Sequence, residues 1–356
     1  MENISRIKEK CVGCKSCEQS CPKHCISIGE NKEGFWYPIV DEKNCVECGK
    51  CLKTCPAENI EQHRNMPQTV WAWRNKNDAD IMKSASGGAA DSAAKAVLQM
   101  GGVVYGAACD EQLVVSHIEI ESNAEREKIQ SSKYVQSDPK YSYSKVKQRL
   151  AEGKKVLFFG TPCQVYGLKK YLNYDYDNLI TVDLVCKGVA SPKLWEKYLN
   201  YREEKQQSKV DYINFRKKNR GYHSADLEIK FKNSSVYAKN KTDFFMRSYI
   251  NSICMRKSCY QCNFKGKDRC SDFTIFDAWN ATKYTSLKKD DDKGYTNVLI
   301  HTNKGNEILN EISNMYKIYE SDISKAIFYD GVMVDNQTEY MKQREKFYEL
   351  LNQKKI

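Results

Sequence analysis

Residues 11–55 carry one cysteine pattern written twice. Cys11, Cys14 and Cys17 are separated by two residues each, and Cys21-Pro22 follows after three more. Cys45, Cys48 and Cys51 repeat that spacing and end in Cys55-Pro56. A C-x2-C-x2-C-x3-C-P run of this kind suits a pair of iron–sulfur cubes. Three thiolates so close together wrap a tight loop around one corner of a cube, while the fourth lies too far round the turn to close it and reaches the neighbouring cube. Cys11, Cys14, Cys17 and Cys55 are therefore expected on one 4Fe–4S cluster, and Cys45, Cys48, Cys51 and Cys21 on the other. Pro22 and Pro56 end the short helical turns and supply no N–H.

Two other uses of cysteine fit less well. Zinc sites pair two separated C-x2-C units, completed by Cys or His, whereas here a third cysteine follows at once and His24 and His63 lie outside the pattern. A disulfide framework needs an oxidising compartment, but MENISRIKEK has no apolar leader. Cys25 also falls outside the pattern and reads as a buried spectator. Sixteen cysteines without a leader, and no apolar run of membrane-spanning length, point to a cytoplasmic protein with thiols as metal ligands. The formal charge of +11 overstates the basicity, because each oxidised cluster with its four thiolates adds about two negative charges. The lysines are spread rather than blocked, which argues against nucleic acid and for an acidic redox partner or a phosphorylated ligand.

At 356 residues the chain is long enough for two or three domains. Residues 1–62 read as a ferredoxin-like module with two 4Fe–4S clusters, and the polar stretch 58–67 as a linker ending in Pro67. A different texture follows in two segments, 67–150 and 151–356. Thr69–Trp73 alternates like a strand, Asn75–Asp80 reads as polar loop, Ser84–Gly88 opens an alanine-rich helix to Met100, and Val103–Ala107 is the next strand. Lys155–Phe159, the turn Gly160–Gln164, a helix from Val165 to Leu172 and the strand Leu179–Val185 repeat the unit. Ser191-Pro192 starts another helix, with Ser as cap and Pro in the first turn. Later elements are strands at Leu227–Phe231, Ser271–Asp277 and Asn297–Thr302, a helix Glu307–Tyr316, and a surface helix over the tail from Gln337 to Leu351. The expected architecture is α+β to α/β: a two-cluster module followed by a mixed-sheet core.

Ser86-Gly87-Gly88 and Thr161-Pro162-Cys163-Gln164 both sit where a strand or loop feeds a helix. Free N–H groups there favour phosphate, glycine allows close approach, and ordinary tight turns are the plain alternative. In open α/β sheets ligands bind beyond the carboxyl ends of strands, so the two loops are expected to border one crevice. Cys163 reads as a packing or ligand-contact residue ahead of a reactive thiol. Cys254, Cys259, Cys262 and Cys270 form a looser group that suits a third 4Fe–4S cluster, zinc, or buried thiols, with Cys186 as an alternative ligand.

Together these residues resemble the beta subunits of coenzyme F420-reducing hydrogenase and dehydrogenase. The resemblance runs from Trp71 to Leu351 through Ser84–Gly88 with Gly106, Gly160–Gln164, Asp183–Gly188, Arg256–Cys262, Ser271–Trp279 and Arg344–Tyr348. It implies FAD bound by Ser86, Gly87, Gly88, Thr161, Pro162, Cys163 and Gln164, and makes Cys259 and Cys262 cluster ligands. The family's usual His after Cys186 is Lys187 here, and its Gly-Asp-Phe-Trp-Gly is Phe276–Asn280. Both changes fall at loops expected to face ligand, so the resemblance does not carry F420 over as substrate.

The expected activity is that of an iron–sulfur flavoprotein oxidoreductase. Electrons from ferredoxin or a similar donor would pass through the clusters to FAD and a small substrate, with Lys187 and Asp277 holding or protonating it. Bacterial chains of this layout often accompany surface-polysaccharide enzymes, an analogy of context alone. Two further readings are a non-catalytic electron-carrying subunit whose partner holds the active site, and a cluster-bearing nucleic-acid protein; the expected assembly is with a redox partner subunit or as a homo-oligomer.

Overall fold

The computed structural model describes residues 3–60 and 65–353. Residues 61–64 of the expected linker, His63 among them, lie outside the described residues.

The amino-terminal module has few strands and a core of cysteine. Its hairpin pairs β1 (Ile26–Glu30) with β2 (Trp36–Val40), antiparallel, Ile26 opposite Val40. Ile4, Ile7, Ile26 and Leu52 pack with Cys17, Cys21, Cys25, Cys51 and Cys55, so thiols occupy places that aliphatic side chains fill elsewhere.

The rest of the chain builds on β3 (Thr69–Asn75), β4 (Val103–Cys109), β5 (Val115–Ile120), β6 (Val156–Gly160) and β7 (Leu179–Leu184). It continues with β8 (Val210–Lys217), β9 (Asp226–Phe231), β10 (Val236–Lys239), β11 (Phe273–Asp277), β12 (Thr296–Ile300) and β13 (Tyr316–Ser321). Eight strands form one mixed sheet in the order β13-β3-β12-β11-β7-β6-β4-β5. The inner run β11, β7, β6 and β4 is parallel, and β12, β3, β13 and β5 close its flanks antiparallel. Strands from both sides of residue 150 share this sheet, with β3 set between β13 and β12 and β4 beside β6. The inner strands are Val/Ile/Leu/Phe-rich because both faces are covered. A second, three-stranded sheet β10-β9-β8 packs its apolar face on Trp195, Tyr198 and Phe245.

The sequence reading differs from the structure in four places. Residues 78–83 are helical, not loop, because the Asn77 side chain caps the N–H groups of Ala79 and Asp80. The helix expected at Glu307–Tyr316 runs from Asn303 to Glu311 behind its cap Thr302, and Tyr316 begins the edge strand β13. The helix expected from Val165 starts at Pro162, where Thr161 and Gln164 form a capping box. The tail helix occupies Arg344–Gln353.

Two glycines set how closely elements approach. A Cβ at Gly167 would lie 3.1 Å from Cys14 Sγ, so this residue lets the helix Pro162–Leu172 press against the cysteine module. A Cβ at Gly87 would lie 2.4 Å from the Trp73 carbonyl oxygen, 2.8 Å from Thr296 N and 2.9 Å from Tyr295 Cα. Those walls are backbone and cannot rotate away. Gly87→Ala is expected to cost about 3 kcal/mol, measured as a lowered denaturant midpoint.

Candidate functional site

The eight module cysteines wall two separate cavities. Cys11, Cys14, Cys17 and Cys55 line one, beside Ile4, Ile7 and Trp36. Cys21, Cys45, Cys48 and Cys51 line the other, together with Cys25. The first lies toward the body of the protein, since Gly167 abuts Cys14 and Val12 also lines the central cavity. Cys48 is exposed, so the second faces outward. Burial pushes the Cys14, Cys17 and Cys55 thiols up; a bound cation is what would hold such buried sulfurs as thiolates.

A central cavity of about 470 Å³ opens beyond the carboxyl ends of the parallel strands. Gly106 and Ala107 of β4, Phe159 to Thr161 at the end of β6, Val185 to Gly188 after β7 and Ile275 to Asp277 of β11 all reach it. This is where an open α/β sheet places a ligand. Ser84, Ser86 and Gly88, with the first residues of the helix Ala89–Gln99, form one wall. Pro162, Cys163 and Gln164 form another. Gly87 is not on the cavity wall; its place is fixed by the backbone packing of the loop. Ser86 Oγ donates to the Tyr295 carbonyl at 2.6 Å, and the Gly87 N–H donates to Thr296 Oγ1 at 2.8 Å, so β12 holds this loop.

Cys259 and Cys262 line the cavity together with Cys163 and Cys186. Cys254 and Cys270, grouped with them by sequence spacing, do not: Cys254 packs with Trp195 and Tyr348, Cys270 with Tyr166 and Phe264. Two strand-end loops thus bring Cys163 and Cys186 to the cavity that Cys259 and Cys262 line. Burial, with the neighbouring thiols, pushes Cys186 up and Cys163 up to about 12. Lys265 donates to the Cys186 carbonyl at 3.1 Å and brings its ammonium beside these sulfurs.

Lys187 and Asp277 both line the cavity, each with its own partner. Burial lowers the Lys187 ammonium, which donates to the Ile250 carbonyl. Asp277 accepts from Arg216 at 3.0 and 3.3 Å and from the Tyr222 hydroxyl at 3.0 Å, while Tyr222 stacks on Trp279 at 4.0 Å. Sequence reading missed Arg216, Arg256 and Lys133. Their charges face inward from a bulged strand and irregular loops, where no periodic pattern marks a wall. Lys133 donates to the Gln130 carbonyl at 2.7 Å, and burial lowers it to about 8. The cavity wall carries Lys133, Lys187, Arg216, Arg256, Lys265 and Arg269 against Asp91, Asp277 and Asp330, an excess of positive charge.

Arg256 joins the two halves of the molecule. Its guanidinium, fully buried, donates to the Cys11 carbonyl at 2.7 Å, the Trp36 carbonyl at 2.9 Å and Gln136 Oε1 at 3.1 Å. Ser258 adds a bond to the Cys11 carbonyl at 3.0 Å, and Arg344 pairs with Glu33.

His117 is fixed in one tautomer: Nε2 donates to the Phe159 carbonyl at 2.9 Å and Nδ1 accepts from Ser137 at 3.1 Å. Burial lowers both His117 and His301 to about 4. Between pH 6.5 and 4 the unfolded chain therefore binds protons that the folded one excludes. Stability is full above pH 6.5 and falls as pH drops, by about 3 kcal/mol per histidine. His117→Gln is expected to remove about half of that loss, read as a flatter plot of denaturant midpoint against pH for the holoprotein.

Residues 153–326 match the family described as the carboxyl terminus of the beta subunit of coenzyme F420 hydrogenase/dehydrogenase. Residues 10–59 match a 4Fe-4S dicluster domain. A chain of the xenon-derivatised F420-reducing NiFe hydrogenase complex from Methanosarcina barkeri aligns with a TM-score of 0.49 at 17% identity, over 81% of this chain and 91% of that one. No protein with a curated description matches. The chain is thus an iron–sulfur redox protein related to the beta subunit of coenzyme F420 hydrogenase/dehydrogenase, with a match to a 4Fe–4S dicluster domain ahead of the match to that subunit's carboxyl terminus.

Proposed function

We propose that the chain is an iron–sulfur flavoprotein reductase or dehydrogenase working in a reducing compartment, with all of its redox groups in one polypeptide. Cys11, Cys14, Cys17 and Cys55 would hold an inner cluster, and Cys21, Cys45, Cys48 and Cys51 an outer one. Cys163, Cys186, Cys259 and Cys262 would hold a third 4Fe–4S cluster, with FAD in the remainder of the central cavity. The observation that carries this reading is the meeting of those four cysteines on the wall of the cavity that also exposes the Ser84–Gly88 and Thr161–Gln164 loops.

When bound, the clusters pass single electrons and the flavin exchanges them, as pairs, with a small organic substrate. The chain's own residues prepare the place. N–H groups at the start of the helix Ala89–Gln99 and the Lys133 ammonium favour the cofactor's diphosphate. Gly106 and Ala107 keep the floor low enough for a flat ring. Lys187 would hold an anionic substrate group or give it a proton, while Asp277, tied to Arg216, would orient it. Exposed Cys48 marks the side on which ferredoxin or a similar donor would approach.

A second reading is a carrier subunit whose partner contains the site of turnover. Phe328 at 74% exposure and Val332 at 54% flank Asp330 and Met333, which line the central cavity. An apolar rim of this kind suits a covering partner. Substrate reduction by the isolated, reduced chain would decide for the enzyme.

Anaerobically purified protein is expected to contain about twelve iron atoms and one extractable flavin per chain. The double variant Cys259→Ser/Cys262→Ser should fall to about eight irons with the electron paramagnetic resonance of the two module clusters intact. Eight irons in the wild type, or zinc in place of the last four, would contradict the third cluster.

A further inference from the structure

Five cysteines wall the outer cavity, one more than a 4Fe–4S cluster with a full set of protein ligands uses. Cys21, Cys45, Cys48 and Cys51 account for the repeated motif, and Cys25 is left over. It is not a loose side chain. His24 turns through the left-handed region at φ +50°, and its N–H bonds to the Cys21 carbonyl at 3.2 Å. The Asp41 N–H then anchors the Cys25 carbonyl at 2.8 Å. That turn buries Cys25 at 7% exposure and brings its Sγ to 3.4 Å from Cys21 Sγ. No fifth cysteine lines the inner cavity among the described residues.

We propose that Cys25 is a positioning residue that tunes the outer cluster: its S–H donates to Cys21 Sγ and raises the reduction potential of that cluster alone. The inference rests on Cys21 being an outer-cluster ligand, as proposed above. The direction of the hydrogen bond follows from the chemistry of the pair. A cysteine bound to a cluster is a thiolate and has no proton to give, so in the 3.4 Å contact the only hydrogen is that of the Cys25 S–H. Cys21 is therefore the acceptor. A donor aimed at a ligand sulfur stabilises the more negative, reduced cluster, which is how second neighbours set the potential of such centres.

The test is a potentiometric titration of the anaerobic holoprotein, followed by electron paramagnetic resonance, on wild type, Cys25→Ala and Cys25→Ser. Cys25→Ala should keep its full iron, shift the outer couple to lower potential and leave the inner couple where it was. Cys25→Ser, which still presents a donor, should recover most of the shift. An outer couple that does not move in Cys25→Ala, or an equal shift of both couples, overturns the inference. Loss of iron from Cys25→Ala overturns it as well, by making Cys25 a ligand. Retention of both module signals in Cys21→Ala/Cys25→Ala would instead overturn the assignment of Cys21, on which the inference stands.

Discussion

Arg256 brings a buried cation to the seam between the cysteine module and the sheet, and its hydrogen-bond partners are two carbonyl oxygens and an amide. Among the described residues no carboxylate pairs with it. A buried charge satisfied only by neutral dipoles is costly unless negative charge lies close by. The ring of Tyr37, 4.2 Å from the guanidinium carbon, offers part of the answer. Sulfurs offer the rest. Burial raises the Cys163 and Cys259 thiols, and Arg256 offsets a small part of that rise while gripping the Cys11 carbonyl. The same side chain thus fixes the module in place and sets positive charge between two groups of cysteines.

Much else follows from that seam. With the module held against the helix Pro162–Leu172, Cys14 meets Gly167 and Val12 enters the wall of the central cavity. The inner cysteines then lie between the outer ones and the sheet, an order suited to electrons that move stepwise. The excess of lysine and arginine around the cavity matches ligands of negative charge, whether thiolate-bound iron or phosphate. The net basicity of the chain is in part this internal lining, which a count of residues cannot tell from a surface patch.

The sequence showed the two-cluster module well, because its ligands are local and their spacing is itself the geometry. The strand–loop–helix units around Ser86 and Thr161 were also legible, from glycine and proline at the ends of apolar runs. The third cysteine group was less so. Spacing along 254–270 grouped four neighbours, whereas the fold brings Cys163 and Cys186 from the ends of two parallel strands to Cys259 and Cys262. Only the register of β6 against β7 makes that juxtaposition. The helix expected at Glu307–Tyr316 was carried too far because Ile312, Met315 and Tyr316 keep a helical period up to the point where β13 begins to pair with β3, and β13 itself was not foreseen. Gly87 shows the reverse case: its motif suggested a ligand, and packing against Trp73 and Tyr295 explains it.

The central claim is that one polypeptide lines up three cysteine quartets between its surface and the cavity at the sheet's carboxyl edge. Anomalous scattering at the iron edge, from crystals grown without oxygen, tests it most directly. The account predicts three four-iron centres, the third bonded to Cys163, Cys186, Cys259 and Cys262, with flavin density beside it along the Ser84–Gly88 loop. A third centre on Cys254 or Cys270, or only two iron centres in the chain, would contradict it.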